Sequence, residues 1–209
     1  MAILHKATLT PSKLELIAQH LPLQPWFVQD DSAQPELVGA YRFDDPDGEV
    51  GLETHLVSHG GRIYQLPLSY RDAALPGAEA WLVGTTDHSV LGKRWVYDAC
   101  ADPVYAAALA TAILTGQEQA EQFVQADGKL EPRPSTVSVK GSGTPDVGVP
   151  ALAPEAPVTE NGVTTIDAGE LTLLVNRVLG LGRQPSEGPA LRGIWAGQET
   201  PVELASLRR

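Results

Sequence analysis

A chain of 209 residues, 43% of them apolar, is long enough to bury a sizeable core in one large or two small domains. Its 15 Lys and Arg against 26 Asp and Glu leave a formal charge of -11, which opposes binding to nucleic acid or to an anionic membrane surface. The single cysteine, Cys100, excludes an internal disulfide, and no run of about 18 apolar residues is present to form a membrane-spanning helix.

The first 21 residues have neither the apolar core nor the small-residue cleavage site of a leader, so a soluble cytoplasmic protein is expected. Thr10 followed by Pro11 is a helix-start signal, because the hydroxyl accepts from unpaired amides and Pro suits a first turn. Leu14, Ile17, Ala18 and Leu21 then recur at helical spacing, predicting a short docking helix that Pro22 stops. Strands are expected over 37–43, 49–58 and 62–70, joined by the turns Asp44-Asp45-Pro46-Asp47-Gly48 and His59-Gly60-Gly61. Pro67 points to an edge position or a bulge in the third strand, since it cannot donate to a ladder. Residues 79–86 and 93–99 read as two further strands around a turn at 87–92.

Asp102 and Pro103 open a second helix, whose Val104, Ala108, Leu109, Ala112 and Ile113 form a stripe facing the sheet, and Thr115-Gly116 ends it. Residues 117–126 are expected to form a further, polar helix. The stretch 128–161 is rich in Pro, Gly, Ser and Thr and reads as a largely extended connector, with one apolar alternation at Val137 and Val139. Strands follow over 162–168, 170–179, 191–196 and 201–207, with a hairpin turn at Gly197-Gln198. Four short strands carry too little apolar surface to stand alone, so they are expected to complete the first sheet. The expected organisation is thus a domain at 1–127, a linker at 128–161 and completing strands at 162–209. Its fold class is α+β, a curved, mainly antiparallel sheet packed by helices.

Alternation along the strands places Glu53 and His55 on one face, with Arg94 and Asp98 pointing opposite to Trp95 and Tyr97. A polar sheet face displaying Glu53, His55, Arg94 and Asp98 follows, with helices covering the other face. That face reads either as a site with His55 or Glu53 as base, Asp98 orienting it and Arg94 contacting an anion, or as solvated cross-strand charge pairs. Trp81, Trp95, Tyr97 and Tyr105 form either a sugar-stacking platform or core, as do Trp26 and Trp195. His55, His59, Asp87 and His88 have no recognised zinc spacing, so no metal and no cofactor are expected. Asp87-His88-Ser89 lacks a nucleophile-elbow context, and Gly92-Lys93-Arg94 and Gly141-Ser142-Gly143 lack the remainder of a phosphate loop. Cys100 reads as a small apolar residue at the passage from strand to helix.

Two runs carry a family resemblance: YRFDDPDGEVGLETHLV from Tyr41 to Val57, and GAEAWLVGTTDHSVLGKRWVYDACADPVY from Gly77 to Tyr105. They resemble the N-terminal cap domain of actinobacterial maltokinases and of small cap-only relatives, often labelled loosely as glucan-branching proteins. The likeness extends over roughly residues 1–125. It implies a small curved sheet with helices, likened to cystatins, which in maltokinases precedes a two-lobed kinase making maltose 1-phosphate from ATP. No catalytic-loop Asp with a following metal-binding Asn, and no Asp-Phe-Gly-like motif, occurs in this sequence, so the cap fold carries over and the reaction does not. The resemblance therefore implies a non-catalytic protein that binds or regulates a partner in α-glucan, trehalose or maltose metabolism. The alternatives are a carbohydrate- or small-molecule-binding module, and part of a sugar-kinase system whose catalytic lobe is another chain. An exposed sheet edge leaves a homodimer open.

Overall fold

The computed structural model describes residues 2–4, 7–126, 129–180, 182 and 184–209. In chain order β1 (Ala2–Leu4) and β2 (Leu9–Thr10) lead into α1 (Lys13–His20), and β3 (Glu36–Phe43), β4 (Gly51–His59) and β5 (Arg62–Arg71) follow as a meander. The hairpin of β6 (Leu82–His88) and β7 (Gly92–Asp98) precedes α2 (Pro103–Thr115). Nine strands follow among the described residues: β8 (Gln122–Ala126), β9 (Lys129–Arg133), β10 (Val137–Gly141), β11 (Val158–Glu160), β12 (Val163–Asp167), β13 (Thr172–Asn176), β14 (Val178–Leu179), β15 (Ala190–Trp195) and β16 (Gln198–Arg208). Mainly antiparallel sheets with two α-helices therefore make up the described fold.

The first sheet runs β2-β6-β7-β5-β4-β3, with β14 also paired to β5. Its first hairpin turns where expected, because the Asp45 carboxylate accepts the amides of Asp47, Glu49 and Val50 while Gly48 takes a left-handed conformation. Pro67 is neither at an edge nor in a bulge. It lies in the gap where the second side of β5 passes from β14, paired at Ile63 and Tyr64, to β7, paired from Leu68 to Arg71. Neither neighbour pairs at Pro67, so its missing N–H leaves no ladder bond broken.

The start of α1 is set by Ser12 rather than Thr10: Ser12 Oγ accepts from the Glu15 amide and the Glu15 carboxylate accepts from the Ser12 amide. Leu16, Ile17 and Leu21 are buried, whereas Leu14 is exposed, so the docking stripe is rotated from the one expected. These side chains pack with Val57, Tyr64, Leu66, Leu68 and Val96. Gly84 makes room for them, since a Cβ there would approach a Leu16 methyl to 2.8 Å.

The second helix is apolar on nearly every side, not along a single stripe, with Tyr105, Ala106, Ala110 and Leu114 buried as well as Leu109, Ala112 and Ile113. Two sheets supply its surroundings: one core joins it to Tyr41, Leu52 and Leu56 of the first sheet and to Val137, Val139, Leu191 and Leu204 of a second. Its N-terminus is capped by Asp102, which accepts from the Val104 amide and holds Arg71 bidentately at 2.7 Å. At its C-terminus Gly116 is left-handed, and the amides of Gly143 and Thr144 bond the carbonyls of Ile113 and Leu114. Gly141-Ser142-Gly143, read from sequence as linker, thus closes the end of the helix.

Three sequence expectations are corrected by these pairings. Residues 117–126 form no helix; β8 pairs antiparallel with β9 and parallel with β1, because the segment has no apolar stripe for a helix to bury. Within 128–161 lie β9, β10 and β11, and Val137 and Val139 of β10 are fully in the core, so the segment is not simply an extended connector. The strands after residue 161 do not complete the first sheet. They build a second sheet in the order β10-β15-β16-β13-β12-β11, and only β14 joins the first. The physical reason is α2, whose apolar surface all round demands a cover beyond what one sheet face supplies.

Buried polar groups weld the two sheets. Arg177, between β13 and β14, donates to both Asp98 carboxylate oxygens at 2.9 and 2.7 Å and to Thr164 Oγ1 at 2.6 Å. Gln65 of β5 donates to the carbonyls of Asn176 and Leu204 and accepts from the Tyr41 hydroxyl.

Candidate functional site

Glu53, His55, Arg94 and Asp98 do share one face of the first sheet, in register Glu53↔Leu68↔Asp98 across β4, β5 and β7. That face is not the open one, however. The α1 helix packs on it, burying His55 and Asp98. The four residues also part company. Asp98 is consumed by Arg177 and by the Cys100 amide, while Glu53 and His55 join a different group.

That group is gathered by four elements. Arg42 of β3 stands opposite Glu53 of β4 in the ladder, and Tyr70 of β5 lies opposite Gly51. From α1, Lys13 reaches down to donate to Glu53 Oε2 and lies 5.3 Å from the Tyr70 ring centroid. Around Glu53 Oε2, Arg42 Nη1 is at 3.7 Å and His55 Nε2 at 3.6 Å, and His55 Nε2 is 3.3 Å from the Tyr70 hydroxyl.

Burial opposes ionisation of Glu53, but His55, Lys13 and Arg42, together with the Lys13 hydrogen bond, outweigh it and hold the carboxyl down at about 2. Burial pushes His55 down to about 4, with Glu53 resisting and Lys13 and Arg42 assisting. Burial also raises the Tyr70 hydroxyl. At neutral pH the cluster is therefore a carboxylate, a neutral imidazole, a neutral phenol and two cations.

An acid-sensitive stability follows. Unfolded chains take up the His55 proton near pH 6.5, whereas the folded chain resists until about pH 4. Stability is therefore expected to fall as the pH drops through that window, by roughly 2 to 3 kcal/mol at pH ~4.5 from His55 alone. Glu53 acts in the same direction, since its stabilising ionised form is present above 4.5 and is lost as the pH falls toward 2. Urea midpoints at neutral pH and at pH ~4.5 check this. His55→Gln should remove much of the difference, leaving the part due to His20, which burial also pushes down. An undiminished difference in that variant would refute the assignment to His55.

The cluster opens into a cleft of about 810 Å³. Lys13, Arg42, Glu53, Tyr70 and Arg94 line it together with the Asp44–Gly48 turn and Arg133. Among the described residues, Arg94 is held by its Nη2 bond to the Leu91 carbonyl, and the Nε atoms of Arg42 and Arg94 have no partner. Lys13, Arg42 and Tyr70 were missed in the sequence. Alternation along β3 was the available signal for Arg42; nothing local pointed to Lys13, which arrives from α1.

The expected aromatic platform is dispersed. Tyr97 is buried with its hydroxyl accepting from the Leu75 amide, Trp95 lies 4.9 Å from the Lys93 ammonium, and Trp81 ends a short 3-10 turn. None of the three lines the cleft. Tyr105 is in the core, and Trp26 packs against Tyr64 and the Arg177 guanidinium. His59 accepts from the Asp30 amide and stacks near Phe27, His88 Nδ1 accepts from the Val90 and Leu91 amides, and Ser89 bonds Thr8. Among the described residues no group of three His, Cys, Asp or Glu side chains is placed to hold a metal. No helix among them is long and apolar enough to cross a membrane. Cys100 is buried and its thiol is pushed up by that burial, away from nucleophile chemistry.

Fold and cleft together describe a mainly antiparallel-sheet module carrying a charged cleft under its first helix. Residues 20–102 match the family described as the maltokinase N-terminal cap domain, from the end of α1 to the Asp102 cap of α2. Over that span the chain is similar to a maltokinase N-terminal cap domain. Both α2 and the second sheet lie outside the match. No curated protein matches the chain.

Proposed function

We propose that this chain is a non-catalytic accessory protein, a cystatin-like α+β cap that binds and regulates an enzyme of maltose, trehalose or α-glucan metabolism. The observation that supports this reading is the cap-domain match over 20–102, which hints at an association with maltokinase-like carbohydrate metabolism. Electrostatics support it: with Glu53 held down at about 2 and His55 at about 4, neither group titrates near neutral pH, where a general acid or base is effective. Asp98, the candidate orienting group, is bound to Arg177 instead. Affinity capture from native lysate under gentle conditions is expected to recover an enzyme of carbohydrate metabolism. Recovery of none would count against the reading.

A second reading is favoured by the cleft, whose volume of about 810 Å³ suits a small ligand. In that reading the module binds a carbohydrate or related small molecule there. Thermal shift against maltose, trehalose, glucose phosphates and nucleotides tests it, because specific binding raises stability by mass action.

A further inference from the structure

We propose that the cleft takes a small phosphate ester with a polyhydroxylated body, a sugar phosphate, bound by Arg42 and Arg94. This rests on the second reading above and names its ligand class.

The argument begins with how the arginines of this protein are used. Arg71 and Arg177 are saturated by carboxylates, with donor–acceptor distances of 2.7 Å to Asp102 and to Asp98. Such pairs are closed to a ligand. Arg42 and Arg94 differ. Among the described residues, Arg42 pairs with Glu53 Oε2 at 3.7 Å, an oxygen that already accepts from Lys13, and Arg94 bonds only a main-chain carbonyl. Both guanidiniums keep an Nε without a partner, and both line the cleft. Desolvated donors without acceptors destabilise the empty protein and favour a ligand rich in oxygens.

Charge is concentrated in the cleft. Lys13, Arg42, Arg94 and Arg133 line it together with the carboxylates of Asp44, Asp45, Glu49 and Glu53, in a chain whose formal charge is -11. Of these carboxylates, Asp45 is occupied by three turn amides, Glu53 accepts from Lys13, and Asp44 and Glu49 are solvent-exposed. A planar guanidinium fork recognises phosphate oxygens bidentately, which a lone ammonium does not. A cleft of about 810 Å³ is far larger than a bare phosphate fills, so the anion must carry a body. Phe43, Leu9 and Leu91 line the cleft together with the charged side chains, so it offers apolar as well as polar surface, as a sugar ring with hydroxyls at its edge requires.

Calorimetric titration of the full chain with glucose 1-phosphate, glucose, maltose and inorganic phosphate tests the proposal. Glucose 1-phosphate is expected to bind at least about tenfold more tightly than any of the other three. Arg94→Gln should weaken it at least about tenfold while the far-UV spectrum of the free protein stays unchanged and its melting temperature is no lower. Arg133→Gln, at an exposed lining position, gives a second variant expected to weaken binding with no effect on folding. Equal binding of maltose or glucose would overturn the phosphate assignment while leaving a sugar-binding module. Equal binding of inorganic phosphate would overturn the need for a sugar body. Wild-type affinity in Arg94→Gln would remove the proposed contact. No heat with any of the four at millimolar concentration would overturn this inference and the second reading together.

Discussion

Gly143→Ala is expected to destabilise the protein by about 4 kcal/mol, lowering the melting temperature by roughly 8–16 °C for a chain of this size. A Cβ at Gly143 would fall under 3.0 Å from the Leu114 and Ile113 carbonyl oxygens, which are backbone atoms and cannot swing aside. Those carbonyls belong to the last turn of α2, and the amides of Gly143 and Thr144 are what satisfy them. Adding one methyl group therefore pushes away the segment that closes the helix, leaving carbonyls unpaired in a buried position. Gly141→Ala should behave similarly, since its Cβ would meet the Ala112 carbonyl. Gly148→Ala is the control: nothing lies within 4 Å of a Cβ there, and the change should stay within about 0.5 kcal/mol. Calorimetric melting of the three variants decides the matter, and a Gly143→Ala protein melting with the control would sink the account of the α2 terminus.

Arg177→Met is expected to cost about 3–5 kcal/mol, because it strands the Asp98 carboxylate in the interior without its partner. The loss is larger than a surface ion pair would produce, since both side chains are nearly inaccessible and Thr164 loses a hydrogen bond as well. The physical cause is the orphaned charge rather than the missing attraction. Asp98→Asn combined with Arg177→Met should therefore recover a substantial part of the stability, as Asn retains an oxygen for the Cys100 amide without the charge. Urea denaturation of wild type, single and double variants forms the test. A double variant no more stable than Arg177→Met alone would show that the pair is valued for something other than charge compensation.

Much of the first sheet was legible because its turns announce themselves locally. Asp45, Pro46 and Gly48, or Gly60 with Gly61, shape the backbone within four or five residues, and the alternation between them is the pleat itself. The shared face of Glu53, His55, Arg94 and Asp98 followed from that alternation. Which groups on the face meet did not, because Lys13 and Arg177 come from 40 residues before Glu53 and 79 after Asp98. The polar helix expected at 117–126 failed for a related reason: residues without a periodic apolar stripe take whatever pairing their neighbours offer, here β9 and β1.

Sequence alone determined the turns, the capped second helix, the period of each early strand, and the likeness of residues 20–102 to the cap family. It also determined that α2 is apolar enough to need burial. Tertiary structure decided how that need is met, by recruiting Val137, Val139 and the late strands into a second sheet and by swinging α1 across the charged face. Hydrophobic demand is written into each segment, but it is non-directional, so its partner is chosen only when the whole chain is packed.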